Sequence, residues 1–327
     1  MTADSQPLIL NEDHLRHCAR LDLEALDVVE QAFTWLAEGR VEMPPIQHID
    51  VTDAPGDVDI KSAYVRGLDH FAIKIASGFF GNAAQGLPTG SGLMVVLSAE
   101  TGFCRAVLLD NGYLTDLRTA LAGGVAARHL APDPLETAGI VGTGRQADLQ
   151  TRALYLVRPF QKLRIYGRDP QKAEALARRL GADLGVEAQA EPSIHRLVAQ
   201  SQCVVTTTPS NAPLITADML HPGLHLTTMG SDIPGKQELD PAVFARADRI
   251  VVDRRSQSER LGELQHLAAE DRESLSIDEL GDLTSGRTPG RRHGDEITVC
   301  DLTGTGVQDT AIALYALEAA RASTRSP

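Results

Sequence analysis

The chain has 327 residues, and its 31 basic and 44 acidic residues give a formal net charge of −13 at pH 7. Because one hydrophobic core rarely grows beyond roughly 250 to 300 residues, this length favours two domains. The acidic balance argues against nucleic acid or an anionic membrane as a partner, because both require a basic surface.

The first part of the chain is predicted to form a helix and then an antiparallel-rich sheet. Apolar residues recur at helical spacing over 22–38, and Pro44-Pro45 ends that pattern. Segments separated by Gly, Pro and Asn then predict short strands at 63–65, 71–75, 93–97 and 106–110. A long alanine-rich helix follows over 115–130, in which Gly123-Gly124 would permit close packing against another helix.

An apolar run at 137–141 leads directly into a G-x-G-x-x-A pattern that ends at Ala147, and a helical pattern follows. This is the arrangement of a dinucleotide-binding turn. Its first glycine permits a tight turn, and its second lets the backbone approach a pyrophosphate at the helix N-terminus. The predicted cofactor contacts in this turn are Gly142, Thr143, Gly144, Arg145 and Gln146.

From residue 137 onward, predicted strands and helices alternate, which indicates a parallel sheet covered by helices. Further strands are expected at 163–166, near 186, and at 203–206, 224–229, 249–252 and 297–300, with a closing helix at 308–321. The predicted fold class is α/β, with a Rossmann-type doubly wound parallel sheet.

Polar residues after these strands are candidate site residues, because doubly wound sheets bind ligands outside the carboxyl ends of their strands. Thr208 is either a satisfied turn residue or a cofactor contact. Asp232 either caps a helix or transfers a proton beside a nicotinamide. Met229 and Lys236, which lie close to Asp232 in the sequence, are predicted cofactor contacts.

Two charged residues of the first half are also candidates. Lys74 lies in a strand-like apolar run, where a charged side chain needs a reason to be present, although its ammonium could reach water from the sheet face. Arg118 could cap its helix, pair with Asp116, or bind an anionic ligand through its planar guanidinium.

The residues at the end of the second predicted strand of the Rossmann-type sheet indicate whether the cofactor is NAD(H) or NADP(H). An acidic residue there would accept hydrogen bonds from the ribose of NAD, but the sequence reads Tyr166-Gly-Arg168-Asp169. Arg168 is either a solvated partner of Asp169 or a partner for a 2′-phosphate. We predict NADP(H) as the favoured cofactor, with NAD(H) as the alternative.

The cysteines and the apolar segments indicate the cellular setting. Cys18, Cys104, Cys203 and Cys300 are far apart and have no histidine at ligand spacing, which predicts buried thiols and no metal site. No apolar stretch is long enough to span a membrane, and the first residues lack the features of a signal peptide. We expect a soluble, cytoplasmic protein.

Five motifs follow one another along most of the chain: Ile73-Lys-Ile-Ala-Ser-Gly-Phe-Phe-Gly-Asn82, Gly86-Leu-Pro-Thr-Gly90, Leu114-Thr-Asp-Leu-Arg-Thr-Ala120, Gly142-Thr-Gly-Arg-Gln-Ala147 and Gly230-Ser-Asp-Ile-Pro-Gly-Lys-Gln-Glu-Leu-Asp240. Together they resemble the ornithine cyclodeaminase and mu-crystallin family. Within it, residues 41–45, 59–64 and 108–116 are most similar to the ectoine-utilisation branch called EutC.

The resemblance implies a split first domain, residues 1–120 plus 296–327, which dimerises and supplies much of the substrate pocket. A Rossmann domain, residues 121–295, would be inserted into it. The resemblance also implies roles for four residues: Lys74 as the active-site lysine, Arg118 as a substrate- or cofactor-side arginine, Thr89 as a cofactor-contacting threonine and Asp232 as the catalytic aspartate of cyclodeaminases.

One position departs from the family pattern. Family members place an arginine just after the Met-x-Pro turn, where it would hold the substrate carboxylate, whereas this chain has Gln47 and His48 there. These two are the candidate substrate contacts at this place, and neither supplies a guanidinium. Either Arg118 binds the carboxylate alone, or the substrate is not ornithine.

We therefore predict a homodimeric NAD(P)-dependent oxidoreductase that acts on a C–N bond of a small amino or imino acid. It would be an imine or ketimine reductase or a deaminating enzyme, in ectoine utilisation. One alternative is ornithine cyclodeaminase, which forms proline and ammonia; Asp232 supports it and Gln47 opposes it. The other is an NADPH-dependent ligand-binding protein of mu-crystallin type, which the joint presence of Lys74, Arg118 and Asp232 opposes.

Overall fold

The computed structural model describes residues 6–325, and it divides the chain into two compact units. The first unit extends to Arg118 and resumes at Thr305, and the second unit is Thr119–Gly304. The second unit is thus an insertion in the sequence of the first. The predicted assignment of substrate binding and dimerisation to the first domain stays a prediction.

The strands are β1 (Leu8–Asn11), β2 (Val41–Glu42), β3 (Gln47–Val51), β4 (Gly56–Val65), β5 (His70–Phe79), β6 (Gly90–Ser98), β7 (Cys104–Leu109), β8 (Thr137–Val141), β9 (Lys162–Tyr166), β10 (Glu187–Ala190), β11 (Cys203–Thr206), β12 (Asn211–Ile215), β13 (His225–Thr228), β14 (Gln237–Leu239), β15 (Arg249–Val252), β16 (Ile277–Glu279) and β17 (Thr298–Asp301).

The α-helices are α1 (Glu12–Cys18), α2 (Leu23–Ala37), α3 (Tyr113–Leu130), α4 (Arg145–Val157), α5 (Pro170–Leu184), α6 (Ile194–Gln200), α7 (Ala242–Arg246), α8 (Arg255–Leu261), α9 (Ala269–Ser274), α10 (Leu280–Thr284) and α11 (Gly306–Arg325). Short 3-10 helices occupy Phe80–Gln85, Ala217–Met219 and Glu263–His266. In residues 6–325, no helix has both the length and the apolar character that a membrane span requires.

The first unit contains a sheet in the order β1-β7-β6-β5-β4-β2, with β3 paired to β4 outside that path. Strands β4 to β7 are antiparallel, as the sequence predicted. Successive side chains of these strands point to opposite faces of the sheet, and one of the two faces is buried. On that face lie Lys61, Ala63, Val65, Ala72, Lys74, Met94, Val96, Ala106 and Leu108.

Helices α2 and α11 pack on the buried face, where Ala32 and Leu36 of α2 and Val307 of α11 share an apolar cluster with the sheet. The α11 side chain of Thr310 joins two strands, because its hydroxyl donates to the carbonyl of Ala63 (2.8 Å) and accepts from the N–H of Ala72 (3.2 Å). Helix α11 is thereby fixed over the middle of the sheet.

The other side of this sheet, which we call the outer face, is apolar and only partly covered. Its half-buried or exposed side chains are Phe71, Ile73, Ile75, Leu93, Val95, Leu97, Val107 and Leu109. A sheet with a solvated face normally alternates apolar and polar residues, so the largely apolar character of this face, which also carries Ser62, Ser77 and Ser91, indicates a contact surface.

The second unit is a parallel sheet in the order β10-β9-β8-β11-β13-β17-β15-β16, and apolar clusters lie against it. The order of the first strands, 3-2-1-4-5, is that of a Rossmann-type doubly wound fold. The sequence had placed the last predicted strand with the closing helix in the first domain. The structure pairs β17 with β13 and β15, so this strand lies in the second unit.

Helix α3 crosses the boundary between the units in sequence, and one of its two predicted packing glycines, Gly123, lies against α4. A Cβ on Gly123 would lie 1.9 Å from Oε1 of Gln150 in α4, so a side chain there would displace the Gln150 amide. The amide of Gln150 donates to the carbonyl of Thr119 (2.9 Å). Close packing of α3 on α4 therefore depends on a residue without a side chain.

Candidate active site

Lys74 lies in the middle of β5 on the buried face of the first unit, with 2% of its surface exposed. Its ammonium donates to Oδ1 of Asp309 in the first turn of α11 at 3.1 Å and lies 3.0 Å from Oδ2. A Cβ on Gly306, at the start of α11, would lie 2.7 Å from the carbonyl oxygen of Ser62. The glycine thus lets α11 approach the sheet closely enough for this ion pair.

Arg118 completes a buried cluster with Lys74 and Asp309, which we call the cation cluster. The Nε of Arg118 lies 2.9 Å from Oδ1 of Asp309, and its Nη1 donates to Oε1 of Gln308 at 3.0 Å. That bond fixes the orientation of the Gln308 amide and leaves its Nε2 as a donor. All these residues belong to the first unit.

Several buried polar atoms of this cluster have no hydrogen-bond partner in the part of the chain that the structure describes. They include Nε2 of Gln308 and, one residue before α11, Oγ1 of Thr305. Native proteins rarely leave buried polar groups unpaired, because each costs about 1–3 kcal/mol. The unpaired atoms therefore indicate a place where a polar ligand binds.

The protonation states of the cluster follow from burial and charge. Burial lowers the pKa of Lys74 to about 7, although the carboxylate of Asp309 opposes this effect. Burial acts to raise the pKa of Asp309, but the charges of Lys74, Arg118 and Lys61 bring it below its usual value. Near neutral pH, Asp309 is thus ionised while Lys74 can exchange a proton.

Asp110 is a second carboxyl in the first unit that lies within electrostatic reach of Lys74. Burial raises its pKa to about 6, and the N–H groups at the start of α3 and the charge of Lys74 oppose this rise. One carboxyl oxygen accepts from the N–H of Leu114 at 2.8 Å. Its main contribution is therefore to fix the N-terminus of the helix that carries Arg118.

The second unit has a cavity of about 430 Å³ at the carboxyl ends of β8, β9 and β11. Gly142 has φ +134°, and a Cβ there would lie 2.3 Å from Oγ1 of Thr207. At Gly144, the N-cap of α4, a Cβ would meet no atom within 4 Å and would extend into open space. No side chain caps the N-terminus of α4. This open cradle beside the N-terminus of α4 fits the pyrophosphate of a dinucleotide.

The cavity is basic where the ribose of the adenosine half would lie. Arg168 and Lys172 both line it. Asp169 also lies there, but its carboxylate accepts from the N–H groups of Gln171 (3.0 Å) and Lys172 (3.3 Å) and so caps α5. The acidic residue near this strand end is therefore engaged in the fold, and two cationic side chains remain in the cavity wall.

A buried carboxylate connects the loops that follow β11 and β13. Oε1 of Glu238 accepts from the N–H (2.6 Å) and hydroxyl (2.7 Å) of Thr208. Its Oε2 accepts from the hydroxyl of Thr206 (2.6 Å) and the N–H of Gly230 (2.9 Å). Because Thr208 lines the dinucleotide cavity, Glu238 fixes part of the cavity wall.

Most predicted cofactor residues lie in or beside this cavity. Gly142, Thr143, Gly144, Arg168 and Thr208 line it, and Arg145 and Gln146 begin α4. The other two predicted cofactor residues of the second unit, Met229 and Lys236, lie in the loop after β13. Met229 packs against an apolar cluster of the sheet, and Lys236 bonds to Oδ1 of Asp232 at 2.7 Å. The contact of Lys236 and Met229 with a cofactor stays a prediction.

The remaining predicted residues are dispersed. Thr89 is exposed in the first unit, where its carbonyl accepts from the N–H of Phe79. Gln47 and His48 are exposed on β3. His48 bonds to Asp59 (2.7 Å) and Asp50 (3.1 Å), and these two hydrogen bonds raise its pKa. The structure brings Lys74 and Arg118 together, and the roles of Thr89, Gln47, His48 and Asp232 stay predictions.

Sequence reasoning missed Asp309, Gln308 and Lys61. Asp309 and Gln308 were predicted only as part of the closing helix, because a single acidic residue in the first turn of a helix is normally explained by its interaction with the helix N-terminus. A sequence signal did exist, since both follow Thr303-Gly-Thr-Gly306, a hydroxyl- and glycine-rich entry to an otherwise apolar helix. Lys61 alternates with apolar residues in β4, as Lys74 does in β5.

Comparisons with known proteins identify the family of this chain. The model of the ornithine cyclodeaminase/mu-crystallin family matches residues 6–324. The chain is 49% identical to the uncharacterized cyclodeaminase y4tK of Sinorhizobium fredii, with 97% of this chain and 96% of that protein covered. It is 34% identical to the iminosuccinate reductase of Paracoccus denitrificans, with 91% and 92% covered.

Two solved structures have the same fold over nearly the whole chain. An archaeal alanine dehydrogenase dimer with bound NAD gives a TM-score of 0.89 at 33% identity and covers 97% of both chains. The Δ1-pyrroline-2-carboxylate reductase of Thermococcus litoralis, in complex with NADH and L-proline, gives 0.89 at 25% identity, with 97% and 98% covered.

Proposed function

The chain belongs to the ornithine cyclodeaminase/mu-crystallin family, and from this premise we propose that it reduces the C=N bond of α-imino acids, or catalyses the reverse reaction. It is an NAD(P)-dependent enzyme. The observation that carries the proposal is the buried Lys74, whose pKa is about 7, held by Asp309 beside Arg118. Relatives that are named as an iminosuccinate reductase and a Δ1-pyrroline-2-carboxylate reductase support it.

A bound reduced dinucleotide would supply a hydride to the imine carbon, and the nitrogen needs a proton before or together with that transfer. Lys74 is suited to deliver it, because a group with a pKa near 7 gives and takes protons readily at neutral pH. Asp309 orients the ammonium through its hydrogen bond. Arg118 and Nε2 of Gln308 would bind the carboxylate beside the imine, since the two side chains are hydrogen-bonded to each other and Nε2 has no acceptor among the described residues.

Purified protein tests the proposal directly. NADPH and NADH are each mixed with Δ1-pyrroline-2-carboxylate or with a 2-oxo acid and ammonia, and loss of the reduced-nicotinamide absorbance is followed. We expect oxidation that depends on the imine. Redox-neutral release of proline and ammonia from ornithine would instead support the cyclodeaminase alternative, in which Asp232 acts. Dinucleotide binding without any turnover would support a ligand-binding protein of mu-crystallin type.

We propose NADP(H) as the preferred cofactor. Arg168 and Lys172 line the cavity at the position of the ribose, and Asp169 is engaged in capping α5, which together favour a 2′-phosphate. The alanine dehydrogenase and the pyrroline-carboxylate reductase above contain NAD and NADH, so the two cofactors must be compared in kcat/KM. Arg168→Ser should reduce kcat/KM for NADPH about tenfold or more and leave that for NADH little changed.

We also propose a homodimer that forms through the outer face of the first unit. A row of apolar side chains there is left partly covered in the single chain, and its occupant would be a second copy. The archaeal alanine dehydrogenase to which the chain is similar is a dimer. Participation in ectoine utilisation is the remaining prediction, which rests on the motif resemblance and would be tested by growth of a deletion strain on ectoine.

A further inference from the structure

Thr305 and Gln308 have the spacing of a capping box at the start of α11 but do not form one. In that motif a threonine just before the helix accepts from the third helical N–H, and a glutamine at this third position bonds back to the threonine N–H. The hydroxyl of Thr305 has no hydrogen-bond partner among residues 6–325. The N–H of Gln308 bonds instead to the carbonyl of Thr305 at 3.2 Å, and its side-chain oxygen accepts from Arg118 at 3.0 Å. The hydroxyl and the amide nitrogen are thus left for another function.

The burial of these two side chains makes their unpaired atoms informative. Elsewhere in the chain a hydroxyl in the same position does cap its helix, since Oγ of Ser193 accepts from the N–H of Arg196 at the start of α6 (3.3 Å). Thr305 and Gln308 are both fully buried, and Nε2 of Gln308 also lacks a partner in the described part of the chain. Native proteins rarely leave buried polar groups unpaired. Two such groups at one helix end indicate that a ligand binds there.

The groups at this end of α11 favour an anionic ligand. Nε2 of Gln308 and the guanidinium of Arg118 can only donate hydrogen bonds. The N-terminus of a helix carries a partial positive charge, and α11 is a long helix of 20 residues. Asp309 lies in the same turn, but its charge is balanced by Lys74 at 3.0 Å and Arg118 at 2.9 Å. The anionic group that an α-imino acid carries is its carboxylate.

We propose that the hydroxyl of Thr305 donates to the substrate carboxylate, which is held at the start of α11 by Thr305, Nε2 of Gln308 and Arg118. Lys74 is then left for the nitrogen. This inference rests on the proposed reduction of α-imino acids, and it deepens it by naming a further substrate-binding residue. All these residues belong to the first unit, so the carboxylate should bind without a dinucleotide.

The first experiment compares carboxylates with their amides. Binding of acetate, L-alanine and L-proline to the wild-type protein is measured by calorimetry, without a dinucleotide and with NADPH, and each is compared with the corresponding amide. We expect the amides to bind at least about tenfold more weakly, because they lack the charged oxygen that strengthens each hydrogen bond. If no carboxylate binds better than its amide, the ligand of these residues is not a carboxylate and the inference is wrong.

Substitution of Thr305 then tests the residue itself. Thr305→Val keeps the shape of the side chain and removes the hydroxyl, whereas Thr305→Ser keeps the hydroxyl. We expect Thr305→Val to weaken carboxylate binding and to raise KM for the imino acid by about 10- to 100-fold. The value of kcat should change little, because the contact is present before and during the reaction. Thr305→Ser should retain most of the affinity. Thr101→Val, in the exposed turn between β6 and β7, is the control.

Thermal unfolding of the ligand-free protein separates substrate binding from a structural role. Valine would remove a buried hydroxyl that has no partner among the described residues, so Thr305→Val should unfold at the same temperature as the wild type or at a higher one. A threonine that capped α11 would give a lower melting temperature when replaced. A lower melting temperature, or failure of the variant to fold, would assign Thr305 to the fold and overturn the inference.

The outcomes separate this inference from the proposed function. If Thr305→Val binds carboxylates as the wild type does, the assignment of Thr305 is wrong and the reductase proposal stands. If the variant loses carboxylate affinity but the wild-type protein reduces no imine, the reductase proposal fails and Thr305 is still shown to bind a carboxylate.

Discussion

Removing the ammonium of Lys74 separates a role in proton transfer from a role in the fold. A methionine of similar length would fill the space of Lys74 on the buried face of β5, and Asp309 would keep Arg118 as its ion-pair partner at 2.9 Å. We therefore expect Lys74→Met to fold, to lose about 10²- to 10⁴-fold in kcat, and to bind NADPH as tightly as the wild type. Fluorescence titration with NADPH checks the binding, and weakened binding would mean that Lys74 contacts the cofactor or supports its site.

The pKa of Lys74 predicts opposite pH profiles for the two directions of the reaction. Reduction needs the protonated lysine, so its kcat/KM should fall as the pH rises through about 7. Oxidative deamination needs the neutral lysine and should accelerate through the same range. Stopped assays in both directions with one buffer series measure this, and parallel profiles in the two directions would contradict it.

Asp309 should set the position of that profile. Its negative charge raises the pKa of Lys74 against the effect of burial, so Asp309→Asn should move the reduction profile to lower pH. Asp13→Asn, on the exposed face of α1, is the matched control and should leave the midpoint in place. An unshifted midpoint in Asp309→Asn would show that Lys74 does not control the profile.

At the scale of elements, the turn between β8 and α4 contains two glycines with different requirements. Gly142 has φ +134° and a close contact to Thr207, whereas Gly144 has φ −83° and open space around its Cβ position. Gly142→Ala should lower both thermal stability and NADPH affinity. Gly144→Ala should leave the melting temperature unchanged and weaken only NADPH binding, because its methyl group would occupy the cradle. Equal effects of the two substitutions would contradict this assignment.

The junction of the β11 and β13 loops depends on the carboxyl group of Glu238, whose pKa is raised by burial against the effect of its hydrogen bonds. Each of its oxygens accepts from a backbone N–H, so a glutamine amide must face one of these donors with its own NH₂ group in either orientation. Glu238→Gln should lower the free energy of unfolding by about 1–3 kcal/mol and weaken NADPH binding. Urea denaturation measures the first effect, with the exposed Glu174→Gln as the control, and an unaffected stability would contradict it.

The sequence predicted elements well where a local pattern sets them. Strands β8, β11 and β15 of the second unit are nearly continuous apolar runs. Helix α2 begins after the capping residue Asp22, whose side chain accepts from the N–H of Ala25. The strands of the first unit are longer than predicted, since polar or small residues such as Lys61, Ser77 and Ser91 interrupt their apolar alternation. Whether a strand continues through such residues depends on the strands that pair with it, and these lie elsewhere in the sequence.

The candidate site was predictable only in part for the same reason. Lys74 and Arg118 are visible as charges in apolar segments, but their joint partner Asp309 comes from a helix nearly two hundred residues later in the chain than Arg118. The burial that lowers the pKa of Lys74 requires that helix to lie on the sheet. No local sequence pattern specifies this arrangement, which arises from the packing of α11 against β4 and β5.

For the whole molecule, the outer face predicts the oligomeric state. Val95 lies on this face and pairs with Val107 and Ile73 on the neighbouring strands. We expect a dimer in analytical ultracentrifugation and a monomer for Val95→Glu, because a buried carboxylate in an apolar interface costs several kcal/mol. Leu87→Glu, the same type of change at an exposed loop residue, is the control. A dimer that persists in Val95→Glu would place the interface elsewhere.

The most direct test of the central claim is NADPH- or NADH-dependent reduction of an α-imino acid by the wild-type enzyme and by Lys74→Met under identical conditions. The proposed function predicts turnover by the wild type, with one dinucleotide oxidised for each amino acid formed, and its loss in the variant while NADPH binding persists. Turnover that survives in Lys74→Met, or ornithine conversion without net oxidation of dinucleotide, would contradict it.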